Sequence, residues 1–305
     1  MEYGMMRGLR RVAVVSLTAF LVAGSVAAQD VKLRPLRPIY VDSLGTAIQA
    51  PEGVAFDGSS RLVVADTGNR RFLIFDVSED SFSPAAEFRL SQVPLPVRVR
   101  FDSGGGILAL DGKSNQVARI APNGTFKSFV EIAPASDRGA VVVKGFEVDD
   151  DDNLYVLDTA GARIVVLDSA GDLLREIGFA PEAEFLSDLT VNASGTVFAI
   201  DSVGRRVFVA RKGDEALAPL TESMDEDMAF PAAITADGSG YLYISDRGGS
   251  GIVVLGENGS FQGRHSGRGR SQGFLWYPSG LHAGGGYLFV ADRGNNRIQV
   301  FEVAR

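Results

Sequence analysis

From about residue 40 to the end, the chain alternates short apolar runs with clusters of glycine, aspartate and asparagine. Runs such as Leu154-Tyr155-Val156-Leu157 and Ile164-Val165-Val166-Leu167 are rich in β-branched and aromatic residues. Bounded by turn-forming residues, they read as strands. No stretch there sustains the 3.6-residue apolar period of an amphipathic helix. An aspartate closes the middle run of each unit, at Asp66, Asp111, Asp158, Asp201, Asp246 and Asp292, with spacings of 45, 47, 43, 45 and 46 residues. A period of about 45 residues carrying three or four strands is the signature of a propeller blade. The expected fold is therefore all-β: a six-bladed β-propeller of four-stranded antiparallel blades.

The pattern places the blades near 51–90, 96–131, 143–178, 186–222, 231–266 and 278–305. The last blade runs out of chain after its third strand. The stretch Pro38-Ile39-Tyr40-Val41 has strand character and is expected to complete blade six within 38–42, closing the ring without a covalent bond. Residues 29–37 read as a linker, and 38–305 as the propeller.

Two copies are strong. The first runs Pro51-Glu52-Gly53-Val54-Ala55-Phe56-Asp57 and then Leu62-Val63-Val64-Ala65-Asp66-Thr67-Gly68-Asn69-Arg70-Arg71. The last runs Pro278-Ser279-Gly280-Leu281 and then Leu288-Phe289-Val290-Ala291-Asp292-Arg293-Gly294-Asn295-Asn296-Arg297-Ile298. This pattern resembles the NHL repeat, and the chain is similar to exported, bacterial-type propellers built from it. The copies between are degenerate, with Gln116 and Gly251 where the repeat's arginine falls. The resemblance implies the six-bladed ring and no single activity.

Composition narrows the chemistry. Two histidines and no cysteine exclude thiol catalysis, cysteine-ligated metals and any site needing three histidines. The 36 glycines, an excess for this length, are the turn residues that repeated hairpins require. At the N-terminus, Arg7, Arg10 and Arg11 precede an apolar run from Val12 to Val26, and Val26-Ala27-Ala28 offers a small-residue cleavage site. This reads as a signal peptide over 1–28, so a periplasmic or secreted location is expected. The formal charge is −8; residues 1–28 carry three Arg and one Glu, so the mature chain is −10. An acidic exported chain is a poor nucleic-acid ligand. No later stretch is apolar enough to span a membrane, and the single-chain ring is expected to be a monomer.

Aligning the first strand of each blade separates two registers. Val54, Val99, Phe146, Leu189, Ile234 and Leu281 form one apolar layer, and Phe56, Phe101, Val148, Val191, Ala236 and Ala283 another. The complementary register reads Gly53, Arg98, Gly145, Asp188, Ala233, Gly280, then Ala55, Arg100, Glu147, Thr190, Thr235, His282. These positions are expected to face the central channel. Arg98, Arg100, Glu147, Asp188, Thr190, Thr235 and His282 are the candidate ligand-binding residues at its mouth. Arginines there could hold a carboxylate or phosphate. Equally, Arg100 could pair with Glu147 and Arg98 with Asp188, leaving a water-filled channel.

Other features have structural readings. The pairs Asp66/Arg71, Asp158/Arg163, Asp201/Arg206 and Asp292/Arg297 bracket hairpins and suit turn capping with an ion pair. No cofactor is expected. The run Asp149-Asp150-Asp151-Asp152-Asn153 could attract calcium but lacks an EF-hand's glycine and glutamate, and falls in a turn. The basic loop Gly263–Arg270 is expected on the channel-mouth face, with Phe274, Leu275, Trp276 and Tyr277 packed under it or forming an aromatic patch. With no evident nucleophile–base pair, the expected function is a non-catalytic binding or scaffold module for a protein, peptide or small anionic ligand. The alternative is a metal-dependent lyase or lactonase-type hydrolase using Glu147, Asp188 and His282. The zinc-type amidating lyases of this repeat class use several channel histidines, and only His282 falls in that register here.

Overall fold

The computed structural model describes residues 1, 31–79, 81–135 and 139–305. Residues 2–30, and with them the expected signal segment, lie outside the described residues. The remainder forms six four-stranded antiparallel sheets. Their inner strands are Gly53–Phe56, Pro96–Phe101, Val143–Val148, Leu186–Val191, Pro231–Ala236 and Pro278–Gly284. Successive inner strands neighbour one another around the ring, and the last returns to the first through Gly280 N–H donating to Glu52 O at 2.8 Å.

The hydrophobic core is divided into six clusters, each between two adjacent blades. Val54, Phe75, Phe289 and Val300, for example, join blades one and six, whereas Ala55, Phe72, Val99 and Ile107 join blades one and two. Both faces of every sheet are therefore covered, so the second strands read as unbroken apolar runs rather than alternating ones. A single blade would leave two such faces wet. Each buried Phe, Leu or Val contributes about 1.5–3 kcal/mol only when its neighbour is in place.

This arrangement corrects one detail of the register reading. Side chains on an inner strand alternate between the two flanking blades, and of the second register only the long polar ones reach into the channel. Ala55 and Ala233, assigned above to the channel, pack in inter-blade clusters. At Gly53 and Gly280 the next inner strand passes so close that a Cβ would lie 2.8 Å from Val97 O and 2.5 Å from Glu52 O, respectively.

Ring closure uses an N-terminal strand, as expected, but a different one. Lys32–Pro35 pairs antiparallel with Arg297–Ala304, in register from Lys32 opposite Ala304 to Pro35 opposite Phe301. The ladder continues through Leu36 N–H to Val300 O and reciprocal bonds between Ile39 and Ile298. The segment expected to close the ring is thus only the ladder's end, because Pro38 has no N–H to donate. Val31 is buried against blades five and six, while Ile39 and Ile48 sit between blades six and one.

The repeated aspartates hold each blade's entry. All six are buried, and each accepts a backbone N–H from the segment leading into its own inner strand: Gln49, Leu95, Val142, Phe185, Phe230 and Trp276. The arginine follows in Asp66–Arg71 (2.7 Å), Asp158–Arg163 (3.2 Å) and Asp292–Arg297 (2.7 Å). Asp201 instead receives the N–H groups of Glu184, Phe185, Val203 and Gly204. No helix among the described residues is long and apolar enough to cross a membrane.

Candidate functional site at the channel mouth

The seven candidate residues come together, but six of them lie beneath the mouth. Arg98 Nη2 meets Asp188 Oδ2 at 3.0 Å, and Arg100 Nε meets Glu147 Oε1 at 2.5 Å. Asp188 Oδ2 also accepts Ile234 N–H at 3.0 Å, Thr190 Oγ1 accepts Ala236 N–H at 3.1 Å, and Thr235 Oγ1 accepts Ala283 N–H at 3.4 Å. His282 bonds the backbone of Phe56. Each inner strand is an edge strand of its sheet on the channel side, and in blades five, six and one side chains from the preceding blade bond backbone groups exposed there. This polar layer plugs the channel and stitches neighbouring blades together.

Burial governs its electrostatics. It pushes the Asp188 carboxyl upward, against the opposing pull of Arg98 and Arg100. Burial and the nearby Arg100 charge pull His282 down to about 3, so its imidazole is neutral at ordinary pH. The carboxylates of Glu147 and Asp188 are engaged by arginines, and no group of three or more His, Asp or Glu among the described residues could hold a metal ion. At the acidic run, Asp149 spends both carboxylate oxygens on Asp151 N–H, Asn153 and Tyr155.

Above the plug opens a funnel of about 490 Å³. Five inner strands carry a register irregularity at their first residues: between Pro278/Leu281, where two residues are skipped, and, with a single residue skipped, between Pro96/Arg98, Val143/Gly145, Leu186/Asp188 and Pro231/Ala233. The single residue skipped in each of these four, Val97, Lys144, Ser187 or Ala232, lines the funnel, as do Glu52 and Ser279 from the other two blades. Bulges redirect side chains in this way. Arg98 forms the floor; its Nη1 is buried and has no hydrogen-bond partner. Arg247 stands over Glu52 at 3.1 Å, and Arg293 reaches the same carboxylate at 2.6 Å. Lys144 Nζ sits 5.3 Å from the Phe185 ring centroid. Burial chiefly, and then the nearby Arg98 and Arg247 charges, lower the Lys144 pKa.

Sequence reasoning found Arg98 and missed Glu52, Lys144, Phe185, Phe230 and Arg247. A signal existed. Lys144 and Ser187 lie fourteen residues before the repeat aspartate, and Phe185 and Phe230 sixteen before it. The basic loop packs at blade six, where Asn295 Nδ2 donates to Gly269 O, and Arg268 and Arg270 stand over Trp276 at 5.6 and 5.1 Å. Leu275 is buried there, whereas Phe274 and Tyr277 are exposed.

The fold has counterparts. Residues 275–301 match the NHL repeat. The chain is a six-bladed β-propeller whose last blade matches that repeat. A comparison with functionally curated proteins gave no match. Among solved structures, it is similar to virginiamycin B lyase from Staphylococcus aureus, with 14% identity, a TM-score of 0.59 and coverage of 90% of this chain and 100% of that one. A gluconolactonase from Xanthomonas campestris gives 14%, 0.62, 90% and 98%. A protein of unknown function from Bacteroides thetaiotaomicron gives 13%, 0.67, 90% and 76%. At such identities the likeness is one of fold alone.

Proposed function

We propose that this chain is an exported, non-catalytic binding module that takes an anionic ligand at the channel mouth. The observation that carries this reading is the unpartnered Nη1 of Arg98 at the funnel floor, flanked by Lys144 and Arg247. A guanidinium held by Asp188 on one side is oriented to offer its free N–H groups to a carboxylate. Phe185 and Phe230 supply apolar wall beside it. The groups that would serve acid–base or metal chemistry, Glu147 and Asp188, are occupied as inter-blade clamps, which favours binding over turnover. Export rests on the N-terminal arginines and apolar run.

Isothermal titration of the full chain with phenylacetate tests the reading. Saturable binding that weakens about tenfold in Lys144→Glu supports it. Equal binding of phenethylammonium, or no heat with either probe, contradicts it.

A further inference from the structure

The clamp that ties each repeat aspartate to its blade also fixes a ring of side chains on the mouth face. Leu95, Val142, Phe185, Phe230 and Trp276 occupy the equivalent position in five successive blades, each with its N–H bound to the blade's aspartate. Their carbonyls are held as well: Gly112, Thr159, Ser202, Arg247 and Gly294 donate backbone N–H groups to them. All five are apolar, although they surround a polar funnel. Val142, Phe185 and Phe230 remain 38%, 41% and 40% exposed. Nothing in the blade core requires this. Val203, whose N–H binds the same Asp201 as Phe185, and Tyr277, next to Trp276, are exposed as well.

Apolar side chains clamped in place and left wet mark an interaction surface. Its centre is cationic, with Arg98, Lys144, Arg247 and Arg293 outnumbering Glu52 and Asp188, within a chain whose formal charge is −8. The complement of this surface is acidic at its middle and apolar to either side. We infer that the mouth face docks a linear segment of a partner protein in which apolar side chains flank an aspartate or glutamate. The carboxylate enters the funnel toward Arg98, and the apolar side chains lie across the arc from Val142 to Tyr277. This rests on the binding reading above and names its partner.

The test is selection of a random heptapeptide phage library on the immobilised full chain, followed by titration of the synthetic consensus peptide. Expected are enriched sequences combining at least one acidic and two apolar residues. Binding should weaken about tenfold in Phe185→Ser/Phe230→Ser, with the melting temperature within a few degrees of wild type. The surface variant Leu173→Ser, on an outer strand, should bind as wild type. No enrichment, enrichment of basic peptides, or binding unmoved by the double substitution overturns the inference. Phenylacetate serves as the separating arm. If it binds and no peptide does, the partner assignment fails and the mouth reading stands. If neither binds, both fail.

Discussion

Arg98 and Asp188 come from blades two and four, ninety residues apart, and their side chains meet at 3.0 Å across the ring. Both are buried, and Asp188 is fully so. The pair therefore closes the channel and cannot be halved without leaving a charge stranded. Asp188→Asn should destabilise the chain by about 3–5 kcal/mol, whereas Asp188→Leu combined with Arg98→Met should recover most of that loss. Urea unfolding of the three proteins checks it. A single substitution that is neutral would mean the pair carries no structural weight.

Blade five shows how the ring replaces a missing repeat residue. Gly251 stands where the arginine belongs, and Arg264 from the outer strand reaches Asp246 at 2.9 Å instead. A Cβ on Gly251 would fall 2.8 Å from the Arg264 guanidinium. Gly251→Arg alone should therefore destabilise, and adding Arg264→Ala should relieve it, a coupling of roughly 1 kcal/mol or more in a double-mutant cycle. Additive effects would show that the two positions do not compete for the aspartate.

Closure depends on Lys32–Pro35. Deleting residues 31–36 removes the fourth strand of blade six and uncovers Phe301 and Val300. Unfolding should lose its single sharp transition, and amide exchange in Arg297–Ala304 should accelerate first. A deletion variant with the parent's melting profile and protection pattern would assign closure elsewhere.

His282 gives a pH signature. Its pKa falls from 6.5 unfolded to about 3 folded, so the unfolded chain binds the proton more readily. The associated stability is present above pH 6.5 and drains as pH falls toward 3, by roughly 1–2 kcal/mol at pH 5. His282→Gln should flatten the stability profile between pH 6.5 and 4. An unchanged slope would mean that other groups govern it.

The blade count was legible because one aspartate per repeat does the same job in every blade, so its spacing survives even where Gln116 and Gly251 break the rest of the motif. The plug was legible because Arg98, Glu147 and Asp188 interrupt an otherwise apolar strand. The funnel was not: Lys144 and Ser187 point into it through bulges, and an extra residue shifts alternation by one. The closing strand was misplaced because Lys32-Leu33-Arg34-Pro35 has almost no strand character of its own. It is held as a strand by the edge of Arg297–Ala304 and by the burial of Val31 beside it.

The central claim is that an anionic ligand enters the mouth beside Phe185. It is tested most directly by ¹⁹F NMR of the chain carrying 4-fluorophenylalanine at position 185 or, as a control, at exposed Phe261 on an outer strand. On adding phenylacetate, the resonance at 185 should shift saturably and the one at 261 should stay. An unmoved resonance at 185, or equal movement at both positions, would contradict binding at the mouth.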